Sequence, residues 1–138
     1  MNKNTAELWV KIIAILGIIW AILAIIGGIF MLVGGGFLGT MLPFLGTGIL
    51  GGAVVGALLV VTGVVVIVIG LLELFVAIGL WKHKNWARIV AVVLAMLGIL
   101  GGIGSLIASP GMGIVNIVLN GAIFYLLALN KDIRKLFK

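Results

Sequence analysis

The feature that most constrains this chain is a set of four apolar runs, each of which is long enough to cross a lipid bilayer. A helix rises about 1.5 Å per residue, so about 20 apolar residues span the hydrocarbon layer. The predicted spans are residues 8–33, 49–80, 86–107 and 110–129. They predict an all-α fold, namely an integral membrane four-helix bundle that forms one membrane domain over residues 1–138.

Composition excludes most soluble classes of protein. Hydrophobic residues make up 64% of the chain and charged residues 9%, against about 45–50% and about 25% in ordinary globular chains. A domain of this size cannot hide that excess in a core. Soluble enzymes, nucleic-acid-binding domains and disordered chains are therefore disfavoured. The chain has no cysteine, which excludes disulfides and thiolate metal sites, and we expect no cofactor.

The basic residues fall in three groups, and their positions predict the topology. The connections at residues 34–48 and 108–109 contain none of the nine Lys and Arg residues. By the positive-inside rule, both termini and the connection between the second and third runs are cytoplasmic, in a multi-pass protein of the cell membrane. The groups are Lys3 and Lys11; Lys82, Lys84 and Arg88; and Lys131, Arg134, Lys135 and Lys138.

Tryptophan side chains lie next to these basic residues, as expected at the level of the lipid headgroups. Basic residues at that depth interact with anionic lipid, so the predicted partner is the lipid bilayer and not nucleic acid. The predicted cytoplasmic interface consists of Trp9, Lys11, Trp81, Lys82, Lys84, Trp86 and Arg88.

A short internal repeat relates the two halves of the chain. The first run begins Trp9-Val10-Lys11 and the third begins Trp86-Ala87-Arg88. The repeat predicts two helical hairpins of the same orientation, related by an axis along the membrane normal.

Small residues recur at intervals of four and seven in the second run. Because lipid tails are as apolar as leucine, membrane helices associate through close packing, which small residues on one face permit. The predicted seam could pack within the chain, which we favour, or between subunits of a homo-oligomer or against another membrane protein. It consists of Gly48, Gly52, Gly56, Gly63, Gly70 and Ala77.

The connection at residues 34–48 has no charge and is rich in Gly, Phe and Leu. Two structures fit this composition equally well. The segment is either re-entrant or interfacial over the bundle, or the two adjoining helices extend into it.

Glu73 is the only charged residue well inside a predicted span, and an intramembrane carboxyl is a candidate functional group. Asn116 and Asn120 share a face of the fourth run, and Tyr125 lies nearby in depth, so the four residues predict a polar cluster. The cluster either fixes helix packing, which we favour, or forms a proton or ion site.

A hydrolytic site is not expected. Ser105 and Ser109 lie near the predicted outer face, whereas His83 lies in the cytoplasmic connection, so the bilayer separates nucleophile from base. We therefore expect that the protein is not an enzyme.

Two segments, residues 79–88 and 125–137, resemble those of small uncharacterised prokaryotic membrane proteins, often archaeal, of the kind grouped as domains of unknown function with four spans. The resemblance implies the fold but no activity. The leading hypothesis is a non-enzymatic accessory, structural or self-associating membrane subunit. The alternative is a small transporter or proton- or ion-coupled channel that uses Glu73 with Asn120 and Tyr125.

Overall fold

The computed structural model describes residues 2–46 and 48–137, and within these ranges the chain is helical with no strand. Four helices are long and apolar enough to cross a membrane, which confirms the predicted all-α fold with four spans. The elements are α1 (Lys3–Met41), a 3-10 turn (Leu42–Leu45), α2 (Gly48–Trp81), α3 (Asn85–Ala108), α4 (Pro110–Phe124), a π-helical segment (Tyr125–Leu129) and α5 (Lys131–Arg134).

The first connection is the extension of a helix and not a re-entrant loop. α1 has 39 residues, which is about 58 Å at the usual rise, and it runs on through Gly34–Gly36 to Met41. A helix satisfies its own backbone, which favours its extension where water is scarce. Pro43 then lies in the first turn of the 3-10 segment, and Gly46 ends that segment with φ of +93°.

The chain divides into two compact units. We call residues 17–46 with 48–74 the hairpin unit, because it contains only parts of α1 and α2 with their connection. We call residues 2–16 with 75–137 the core unit, because it contains the main cluster of buried side chains.

In the hairpin unit, α1 and α2 approach each other at their glycines. A Cβ added to any of four glycines of α2 would lie 2.8–3.1 Å from a backbone carbonyl oxygen of α1. These glycines belong to the predicted seam, and in the structure they pack within the chain. The pairs are Gly52 with Gly39, Gly56 with Gly35, Gly63 with Gly28, and Gly70 with Ala21.

The other two residues of the predicted seam lie elsewhere. Gly48 is the first residue of α2, with φ of +73°, and a Cβ added there would have no neighbour within 4 Å. It sits at the start of the helix, beyond the last close approach of α1, and its place in the seam stays a prediction. Ala77 belongs to the core unit and is buried.

In the core unit, the buried side chains come from α1, α2, α3, the π-helical segment, α5 and the residues that follow α5. α3 packs against α4, and Gly102 and Gly113 allow the approach, since a Cβ on Gly113 would lie 2.9 Å from the Gly102 carbonyl oxygen. Small residues therefore set the spacing here as well. The buried cluster consists of Ala6, Val10, Ile13, Ala14, Val76, Leu80, Ala87, Ala91, Leu127, Ile133 and Phe137.

Candidate functional site

The C-terminal segment is fixed to the core unit by a helix cap and two apolar side chains. The Asn130 side chain accepts hydrogen bonds from the backbone N–H groups of Asp132 and Ile133, at 3.0 and 3.3 Å, which caps the N-terminus of α5. Ile133 and Phe137, four residues apart, are buried. Because these two side chains point inward, the basic residues between and before them are left at the surface.

A basic groove of about 480 Å³ lies between this segment and the start of α3. Four of its six lining side chains are cationic, and none is acidic. The groove presents hydrogen-bond donors of Arg and Lys, which suit an oxyanion. It is lined by Asn85, Arg88, Lys131, Arg134, Lys135 and Phe137.

Phe137 is the aromatic residue in the lining of this groove. The guanidinium carbon of Arg88 lies 6.0 Å from the centroid of the Phe137 ring, a distance that allows a cation–π contact. The His83 ring also packs against the Phe137 ring, with ring centroids 5.9 Å apart. The aromatic ring thus links the C-terminus to the α2–α3 connection and orients Arg88.

His83 lies two residues after the end of α2 and terminates that helix. Its φ is +52°, and the Lys84 N–H donates to the Gly79 carbonyl while the His83 N–H donates to the Leu80 carbonyl, both at 2.9 Å. This hydrogen-bond pattern is a Schellman motif, in which glycine is the usual left-handed residue. The Nε2 atom of His83 is buried and has no hydrogen-bond partner among the described residues.

The predicted interface residues lie at the surface of the core unit, apart from Arg88, which is half-buried. The three indoles are exposed, as are the three lysines of the set. Their placement on the cytoplasmic side stays a prediction. The exposed members are Trp9, Lys11, Trp81, Lys82, Lys84 and Trp86.

The two asparagines of α4 are brought together. The Asn120 Nδ2 group donates to the Asn116 backbone carbonyl at 2.9 Å and also to the Asn116 side-chain oxygen. Gly98 of α3 makes room for Asn120, since a Cβ on Gly98 would lie 2.5 Å from the Asn120 Cγ atom. Tyr125 is 59% exposed.

Glu73 lies in the hairpin unit and is half-buried. Its Oε2 atom is buried and has no hydrogen-bond partner among the described residues. Gly70, one turn before it, packs against Ala21 and Ile25 of α1. The grouping of Glu73 with the asparagines and Tyr125 stays a prediction.

Residues 9–132 match the model of a protein family described as a domain of unknown function, DUF7144. The chain belongs to the DUF7144 family. The match covers three of the candidate spans and the first from residue 9 onward, and it confirms the predicted membership in a family with no assigned activity. The chain matches no curated protein and no solved structure.

Sequence reasoning missed the contribution of the C-terminal segment to the basic groove. The DUF7144 match ends at Asp132, so Arg134, Lys135 and Phe137 follow it. A signal was present, because Ile133 and Phe137 are apolar residues at helical spacing in a basic segment. The fit of Gly98 to Asn120 had no such signal, since a sequence does not give the register between two helices.

Proposed function

We propose that this DUF7144 protein is a non-enzymatic membrane subunit that associates with a second copy of itself through one face of α1. The observation that carries the proposal is the pair Gly27 and Gly34, seven residues apart on α1. A Cβ added to either would meet nothing within 4 Å, so these glycines are not used for packing in the chain. Their neighbours Gly28 and Gly35 do pack against α2.

Large side chains alternate with these open glycines. Residues three apart on a helix are neighbours, so Phe30 lies beside Gly27, and Phe37 lies beside Gly34. The two phenylalanines are 75% and 60% exposed. A face with both projections and gaps can pair with a copy of itself, because each ring fits a gap in the partner helix.

The test is the oligomeric state of the protein in lipid nanodiscs or liposomes, measured by energy transfer between labelled copies. The double variant Gly27→Ile, Gly34→Ile fills both gaps, and we expect its association to weaken by about tenfold or more, which is about 1.4 kcal/mol. The fold stays intact because both sites are open.

Gly36→Ile is the matched control. Gly36 is also open, but it lies two residues from Gly34 and therefore on a different face of α1. This variant should associate as the wild type does. A wild-type protein that remains monomeric at every protein-to-lipid ratio, or a double variant that associates normally, would contradict the proposal.

A second function, proton or ion transfer through Glu73, rests on the unpartnered Oε2 atom of that side chain. Carboxyl groups within membrane spans often mark proton and ion pathways. In proteoliposomes with an imposed pH gradient, Glu73→Gln would abolish a flux that Glu7→Gln, near the N-terminus of α1, leaves unchanged. Wild-type liposomes without flux under any gradient would exclude this function.

A further inference from the structure

We infer that the basic groove and an apolar groove beside it form a binding site for one anionic glycerophospholipid. The apolar groove has a volume of about 260 Å³ and lies between α3 and the π-helical segment. Its apolar lining consists of Ile89, Val92 and Val93 together with Leu127 and Ala128.

The two grooves meet at two arginines. Arg88 and Arg134 line both the basic groove and the apolar groove. A ligand that fills both must therefore combine a negatively charged group with a hydrocarbon chain, with the two arginines where these parts join. A phospholipid has this construction, since its phosphodiester lies at the headgroup level and its acyl chains run into the bilayer.

The charges select an anionic headgroup. Two guanidinium and two ammonium groups line the basic groove, with no acidic side chain among its lining residues. Guanidinium groups form paired hydrogen bonds to phosphate oxygens, and basic pockets between membrane helices bind anionic headgroups. The four cationic side chains of the lining would repel the cationic choline of a phosphatidylcholine headgroup.

The Arg88 side chain and the helix that carries Arg134 are held in position before a ligand binds. Arg88 lies over the buried Phe137 ring at 6.0 Å, and Arg134 belongs to α5, which the Asn130 cap and buried Ile133 fix in place. Groups that are ordered in advance lose less entropy on binding. The π-helical segment forms one wall of the apolar groove, and such segments are frequent at functional sites.

The apolar groove distinguishes a lipid from a soluble anion. Ile89 and Val93 are half-exposed on a helix long and apolar enough to lie in a membrane, so this groove is open to acyl chains. Inorganic phosphate or a soluble phosphate ester would use the basic groove alone. The site is independent of the α1 face proposed for self-association.

The experiment is native mass spectrometry of the full chain, released from nanodiscs that contain phosphatidylglycerol or phosphatidylcholine with identical acyl chains. We expect one retained phosphatidylglycerol per chain and at least about tenfold weaker retention of phosphatidylcholine. Removal of two cations in Arg88→Gln, Arg134→Gln should reduce phosphatidylglycerol retention by about tenfold or more. Lys3→Gln, Lys11→Gln removes the same charge outside the groove and should leave retention unchanged.

A second variant, Ala128→Phe, fills the apolar groove without a change of charge. It should weaken retention of the two-chain lipid and leave binding of inorganic phosphate unchanged. Helical content by circular dichroism shows that each variant is folded; if the arginine variant is not, Ala128→Phe and the comparison of the two lipids decide. Equal retention of both lipids, an Ala128→Phe variant that binds as the wild type does, or complete displacement of the lipid by inorganic phosphate would overturn the proposal.

Discussion

At the scale of residues, Gly98 allows Asn120 to lie between α3 and α4. The Asn120 amide donates to Asn116 on its own helix, so the polar group is satisfied within α4, and its atoms occupy the space that a side chain at position 98 would need. The spacing of Asn116 and Asn120 predicts that they share a face. The position of the complementary gap at Gly98 on α3 depends on how far α3 is shifted along α4. This shift cannot be predicted from a single sequence.

Gly98→Ala tests this fit. The added methyl group overlaps the Asn120 side chain, and we expect a loss of about 1–3 kcal/mol in unfolding free energy, as in overpacked cores. Unfolding in mixed detergent micelles measures the loss. In an Asn120→Ala background the same substitution should have almost no effect, because the overlapping atoms are absent.

Gly101→Ala is the control for helix propensity, since a Cβ at Gly101 meets nothing within 4 Å. It should be neutral or raise the unfolding free energy by up to about 1 kcal/mol. Equal losses for Gly98→Ala with and without Asn120 would show that the two residues do not interact.

At the scale of elements, the contact between α1 and α2 depends on glycines that face each other. Repeats of four and seven predicted a seam on α2, and four of its glycines do meet α1. The same repeats could not predict that α1 makes no close approach at Gly48, because a periodic pattern gives a face but not the point at which the partner helix ends. They also left the structure of residues 34–48 open, since glycine is tolerated in membrane helices as well as in loops.

Gly35→Ala should destabilise the hairpin unit. Its Cβ would lie 2.9 Å from the Gly56 carbonyl oxygen and 2.9 Å from the Leu59 Cβ atom, so the helices must move apart, at a cost of about 1–3 kcal/mol. Gly36→Ala changes the next residue to the same side chain in open space and should be neutral or slightly stabilising. Similar unfolding curves for the two variants would contradict close packing at Gly35.

At the scale of the whole molecule, the main features are four candidate spans and three groups of basic residues. The apolar runs were long enough to predict the number and type of helices, because the thickness of a bilayer fixes a minimum length for each span. The site at the basic groove was less predictable. Its residues come from α3 and from the C-terminal segment, more than 40 positions apart in the chain, and only the folded chain brings them together.

The central claim is that the chain crosses the membrane four times with every basic group on the cytoplasmic side. Because the chain has no cysteine, a single introduced cysteine reports one position without background. The measurement is reaction of Asn4→Cys, Asn85→Cys and Ser109→Cys with a membrane-impermeant maleimide. None of these changes removes a charge, so the charge distribution that directs topology is unaltered.

In intact cells we predict that only Ser109→Cys, between α3 and α4, reacts, and that the other two react once the membrane is permeabilised. Reaction of Asn4→Cys or Asn85→Cys from outside intact cells would contradict the account.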